Sequence, residues 1–293
     1  MDRRKNVLDE LSITVLIEDY AGYDSGLLAQ HGVSYLVEAK SGKHESKILF
    51  DTGQSAAPLL NNASLLGVNP CEIDYVVLSH CHYDHTGGLV EFLEAAGSER
   101  LPVIAHSTLF RPNFSSKPTF RSNGMPPLNN REAIVNAGGD LILADEPISL
   151  MPGVITSGEI IDKVEYEEEM TLSSFTLEHG RVIADRMADE LALYFSLPQG
   201  LVILTGCSHP GIISIIEKAK ILTKIETIAA VIGGFHLVSA SEPRIAKTAE
   251  ALKLAGCDVY TGHCTGLKAE SELLNQLSNR FYKLRTGLRI KLS

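Results

Sequence analysis

The sequence has no apolar run approaching the roughly 18 to 20 residues that a membrane-spanning helix requires, so insertion into a bilayer is not expected. An apolar leader is also missing. Met1-Asp2-Arg3-Arg4-Lys5 is followed by alternating acidic and apolar residues instead of a secretory core and cleavage site, and the chain reads as cytoplasmic. Basic residues are the minority, 26 against 36 acidic ones, and the formal net charge of −10 disfavours a nucleic-acid surface, which needs clustered Lys and Arg to replace counterions along phosphates. A disulfide framework is lacking too: Cys71, Cys81, Cys207, Cys257 and Cys264 are odd in number and scattered, so reduced thiols are expected. There is no repeat of solenoid period and no low-complexity tract.

What remains is an ordinary globular composition, 44% apolar and 21% charged over 293 residues, enough for one large α/β domain across 1–293. Ile13–Ile17, Val33–Ala39 and Ile48–Phe50 are β-rich runs. The long connection Glu18–Gly32 is a candidate pocket wall. Apolar positions recur at helical spacing over Ser55–Leu66. Ile73–Leu78 then reads as a buried strand, and Leu89, Phe92 and Leu93 restore a helical period. Four prolines between Phe110 and Leu128 predict an irregular insertion at about 110–130. Leu141–Ala144, Val154–Thr156, Phe175–Glu178, Leu191–Ser196 and Leu201–Thr205 suggest a second sheet. The last third alternates helix and strand: Ile212–Leu222, Thr227–Ile232, Glu242–Leu254, Val259–Thr261 and Leu267–Leu277. Two strand sets, each accompanied by helices, predict a four-layer αββα sandwich of mixed sheets.

The chemistry concentrates in His80-Cys81-His82-Tyr83-Asp84-His85, where a strand ends and a helix begins. Two residues apart in extended chain, His80 and His82 can close on one ion, while Asp84 and His85 at the turn can reach a second a few Å away. Such a pair of divalent metals could generate hydroxide near neutral pH.

With its flanks, Leu78-Ser79-His80-Cys81-His82-Tyr83-Asp84-His85-Thr86-Gly87-Gly88-Leu89, this segment resembles the metallo-β-lactamase superfamily, and Ile48-Leu49-Phe50-Asp51-Thr52-Gly53 looks like the strand and aspartate that precede it there. The resemblance implies an αββα sandwich with metals at one edge between the sheets. It makes Asp51 a residue that steadies the ligand loops. Leu201 to His209 resembles the strand whose end usually supplies a bridging aspartate; here Cys207 takes that place and is a possible ligand. No histidine occurs in Val154 to Glu159, where the family has an earlier ligand, and His209 is expected to replace it. His236 and His263 compete for the last ligand; the family places its closing histidine where His263 stands, leaving His236 for substrate contact or proton transfer beside Asp84. His31, His44, His106 and His179 have no motif around them.

Ser157-Gly158-Glu159-Ile160, Thr205-Gly206-Cys207-Ser208-His209-Pro210-Gly211-Ile212, Gly233-Gly234-Phe235-His236-Leu237 and Thr261-Gly262-His263-Cys264-Thr265-Gly266 resemble a subgroup of dihydropterin ribofuranosyl-aminobenzene phosphate synthases. That resemblance implies a small-molecule substrate, phosphorylated or pterin-like, and a transferase. A metal-dependent hydrolase of a phosphodiester, lactone or thioester is the alternative, and a non-catalytic or redox metalloprotein a third. Arg111, Lys117 and Arg121 could meet phosphate, and Phe114 or Phe120 could stack on a flat heterocycle. One or two divalent ions are expected, zinc first, with manganese or iron compatible with the same donors.

Overall fold

The structure, a computed structural model, describes residues 7–116, 119–167 and 174–293; Lys117 lies outside them. Its first large sheet orders seven strands as Arg289–Leu292, Glu10–Ile17, Ser34–Ser41, His44–Phe50, Tyr75–Val77, Leu101–Ala105 and Gly139–Leu143. The first four are antiparallel neighbours and the rest run parallel. The second orders Phe281–Lys283, Asp258–Gly262, Ile228–Gly234, Gly200–Leu204, Leu193–Leu197, Val154–Thr156 and Ser149–Met151, parallel as far as Gly200–Leu204 and antiparallel beyond.

Strand periodicity explains how these sheets stack. Val202 and Leu204 join Ile13, Val15, Val37, Phe50 and Ile232 in the core between the sheets, while the intervening Leu201, Ile203 and Val231 face the helices Ile212–Thr223, Glu242–Ala255 and Leu267–Leu277. On the opposite side Leu49, Val76 and Val103 meet the helices Ala56–Leu65 and Leu89–Ala96. Helix, sheet, sheet and helix thus form four layers. Among the described residues no helix is long and apolar enough to cross a membrane.

Two expectations need correction. Leu141–Leu143 belongs to the first sheet, as the parallel neighbour of Leu101–Ala105, not to the second. The proline-rich excursion carries the short strands Phe114–Ser115 and Arg121–Ser122, which join Ser174–Glu178 and Arg181–Ala184 in a separate four-stranded sheet. Two-residue ladders fit between prolines because each needs few backbone donors.

A buried ionic clasp ties this small sheet to the main body. Arg111 Nε bonds Asp185 at 2.8 Å and its Nη1 bonds Asp189 Oδ2 at 2.5 Å, and the same Asp189 oxygen accepts the Cys81 N–H at 2.7 Å. Burial disfavours the charge on Arg111, but Asp189 and Asp185 outweigh it and hold the guanidinium firmly charged. Arg111 is therefore a structural cation and not the phosphate contact expected of it. We predict that Arg111→Met costs about 3 to 5 kcal/mol of folding free energy, because two buried carboxylates lose their partner. Urea unfolding checks this, and a loss below about 1 kcal/mol would show that the clasp is not structural.

Candidate metal centre and active site

The parallel strands of both sheets end at one edge of the sandwich, where open α/β architectures gather functional loops. His44–Phe50 runs into Asp51 and Tyr75–Val77 into His80; from the second sheet Gly200–Leu204 leads to Cys207 and His209, Ile228–Gly234 to His236, and Asp258–Gly262 to His263. Asp51, Ser208, His236 and His263 all adopt positive φ, between 45° and 61°, a costly conformation for these residues that concentrates where the chain must turn side chains inward. Gly32, at φ +111°, lets the 18–32 connection cross this edge: a Cβ there would lie 1.9 Å from the Asp84 carbonyl oxygen.

Two fully buried carboxylates organise the floor. Asp51 accepts the Ser79 N–H, the Ser79 hydroxyl and the His85 Nδ1–H, each at 2.7 Å. Glu190 Oε1 accepts the N–H groups of Cys207 at 3.1 Å and Ser208 at 2.8 Å, and its Oε2 takes His209 Nδ1–H at 2.6 Å. Burial pushes the Glu190 carboxyl up to about 7 and raises that of Asp51.

Five histidines then show one pattern. His80 Nδ1 is 2.8 Å from the Ser79 hydroxyl, which already donates to Asp51 and so accepts. His85 Nδ1 bonds Asp51, His209 Nδ1 bonds Glu190, and His263 Nδ1 bonds Asp19 at 2.7 Å. His82 is reversed, its Nε2 bonding Asn113 Oδ1 at 3.1 Å. Each ring has one nitrogen engaged with an acceptor, which assigns its proton and leaves the other nitrogen free to ligate. The free Nε2 of His80 is buried without any hydrogen-bond partner.

The free donors fall into two groups. His80 and His209 stand with Cys207, while Asp84, His85 and His263 surround the same sulfur from the other side; within each group the ligand atoms lie within 4.8 Å of one another. His82 adjoins the first group, its ring 4.6 Å from His80 and 4.8 Å from His209. Cys207 Sγ is 3.1 Å from His85 Nε2 and 3.3 Å from His263 Nε2. Asp84 Oδ2 lies 3.4 Å from both of those nitrogens.

The two groups differ electrically. Burial, reinforced by neighbouring imidazoles, drives His80 and His209 far down and His82 down to about 3, so these rings are neutral, the form that binds a cation. Burial also opposes charge on His85, but Asp84 and Asp51 outweigh it and lift it to about 10; His263 is raised against burial by Cys264, Asp19 and Asp84. This half draws positive charge. Buried neutral imidazoles with inward lone pairs, beside a cluster that attracts cations, suit divalent metals and are hard to justify otherwise.

The floor opens into a cavity of about 430 Å³ lined by Asp19, His31, His82, Tyr83, Asp84, Cys207, His209, His236, His263 and Cys264, and on the facing side by Ser115, Arg121, Asn123, Ser174 and Met187 from the small sheet and its flanks. Arg121 therefore reaches it, held through Nε by Asn123 at 2.8 Å. Phe114 and Phe120 do not: they pack on each other at 5.4 Å, Phe114 also stacks on Phe175 at 6.1 Å, and Phe120 is 73% exposed on the outside of the small sheet. Sequence reasoning missed Asp19, Glu190 and Asn113, which carry no motif of their own, and gave no role to Cys264, although it stands in the Thr261–Gly266 segment. His31 joins the site through Asp19 at 3.0 Å and Asp84 at 3.4 Å, and its only signal was the length of the 18–32 connection.

Comparison with known proteins agrees with this geometry. The sequence pattern of the metallo-β-lactamase superfamily matches residues 29–180. A 7,8-dihydropterin-6-methyl-4-(β-D-ribofuranosyl)-aminobenzene-5'-phosphate synthase from Methanocaldococcus jannaschii is 42% identical over 287 residues, 97% of each chain. The uncharacterized protein MJ0448 of the same organism is 34% identical over 254 residues, 87% of this chain and 91% of that one. Among solved structures, Tm1679, described as a metal-dependent hydrolase of the β-lactamase superfamily, superposes with a TM-score of 0.78 at 26% identity over 97% of this chain and 99% of its own. YhfI from Bacillus subtilis shares the fold with a TM-score of 0.56 at 16% identity, covering 97% of this chain and all of its own. With the strand-end histidines and the four layers already in place, these matches establish that the chain belongs to the metallo-β-lactamase superfamily.

Proposed function

We propose that this protein is a metal-dependent transferase that joins a dihydropterin methyl diphosphate to a ribofuranosyl-aminobenzene phosphate, the coupled product being the one for which its relative from Methanocaldococcus jannaschii is named. The observation that carries the metal dependence is the set of five histidines, each with one ring nitrogen engaged and the other free toward the centre. The substrate class rests on 42% identity along nearly the whole chain.

In this reading His80, His82 and His209 hold one ion, and Asp84, His85 and His263 a second, with Cys207 between them. The mixed donors suit zinc, and manganese or iron less well once sulfur is included. Ions there supply positive charge against which a diphosphate can depart. The protein does the rest. Arg121, aimed by Asn123, meets a phosphate as a planar cation, and Tyr83, Met187 and Val238 offer the cavity walls a flat heterocycle needs. Holding amine and methylene carbon together makes the coupling effectively unimolecular; the carbon–nitrogen bond forms, the carbon–oxygen bond to diphosphate breaks, and the departing diphosphate takes up the amine proton.

Hydrolysis is the second reading, favoured by the likeness to Tm1679. Incubating the metal-loaded protein with the pterin diphosphate and the arylamine should release one diphosphate per coupled product. Turnover of a phosphodiester, lactone or thioester without coupling would favour the hydrolase. His82→Ala should lose tight binding of the ion it shares with His80 and His209 and lower activity by at least about 100-fold, and a fully metallated, active variant would sink the site assignment. Arg121→Ala should raise KM for the phosphorylated substrate about tenfold with little change in kcat, the signature of lost uniform binding.

A further inference from the structure

Beside the two groups described above, a third set of donors converges on Cys207. The ligand atoms of Cys207, His236 and Cys264 lie within 4.8 Å of one another, and all three residues face the cavity. We propose that Cys207, Cys264 and His236 form a sulfur-rich cation position, distinct in its donors from the histidine–carboxylate groups, that takes a thiophilic divalent ion such as zinc or cadmium. The proposal rests on the reading of the neighbouring histidines as metal ligands, since Cys207 belongs to both.

Three independent features support it. His236 Nδ1 is buried with no hydrogen-bond partner, an arrangement that is costly for a ring with nothing to ligate. Its backbone N–H points at Cys264 Sγ at 3.2 Å, the contact that stabilises a sulfur ligand carrying negative charge. Finally, Gly234 makes room for that sulfur, since a Cβ at this position would lie 2.6 Å from Cys264 Sγ. The positive φ of His236, 45°, turns the ring back toward the sulfurs, and its face lies 4.5 Å from His209. Two thiolates and an imidazole are a donor set that selects soft ions, and three protein ligands beside a cavity leave a fourth direction open for a substrate atom.

Cobalt and cadmium loading of the intact, reduced protein provides the test, with circular dichroism confirming that each variant is folded. Cobalt-loaded wild type should show the near-ultraviolet thiolate-to-cobalt band; Cys264→Ser should lose about half of its intensity and the double variant Cys207→Ser/Cys264→Ser all of it. Cadmium stoichiometry should fall by one ion in Cys264→Ser and in His236→Ala. His82→Ala should keep the band, because it removes no sulfur. A Cys264→Ser protein with the full band and full cadmium stoichiometry overturns the proposal and leaves the histidine centre intact. A wild type that binds cobalt without any thiolate band does the same. A wild type that binds no cobalt at all overturns both readings.

Discussion

The architecture of this site depends on two carboxylates buried where water cannot reach them. Asp51 fastens the end of the Tyr75–Val77 strand through Ser79 and His85; Glu190 fastens the loop after Gly200–Leu204 through three consecutive N–H groups and His209. One belongs to the first sheet and the other reaches the second, so together they fix the spacing between the ligand loops across the sandwich. A buried carboxylate is expensive unless its oxygens are filled, and here the groups that fill them include His85 and His209 themselves and the backbone beside His80 and Cys207. Stabilising the fold and aiming the imidazoles are the same set of hydrogen bonds.

Cys207 is the point at which this framework converges. Its sulfur touches His85 and His263, belongs with His80 and His209 on one side, and approaches Cys264 and His236 on the other. A carboxylate at this position would offer two hard oxygens in place of one polarizable sulfur. As a donor, sulfur at this position favours softer ions than a carboxylate would.

Much of this was legible in the sequence, for identifiable reasons. The strand-to-helix alternation of the last third follows simple periodicity, and the His80–His85 segment packs its ligands within six residues, where no tertiary information is needed. Cys207 and His209 could be singled out because Leu201 to His209 resembles the superfamily strand whose end carries a ligand. Other features depend on folding. Asp19 and Asn113 are ordinary loop residues until the chain brings them within reach of His263 and His82. Arg111 looked like an exposed basic residue in a proline-rich loop, and only the approach of Asp185 and Asp189, more than seventy residues away, turns it inward. The aromatic pair Phe114 and Phe120 misled because Phe114, paired with Phe175, packs its ring against Phe120 and Phe175 away from the cavity, while its strand neighbour Ser115 faces the cavity.

The small sheet has one more implication. The floor of the cavity is made by strand ends that also build the core, so few of its residues can change. The opposite wall comes from two excursions distant in sequence and attached chiefly through Arg111, Asn113, Asp185 and Asp189. The two sides of the cavity are thus contributed by separate parts of the sequence. Apart from the Asn113–His82 contact, the hydrogen bonds that orient the histidines of the floor do not pass through this wall, so a change within the 114–122 or 174–184 segments reshapes the mouth of the cavity and leaves those bonds in place.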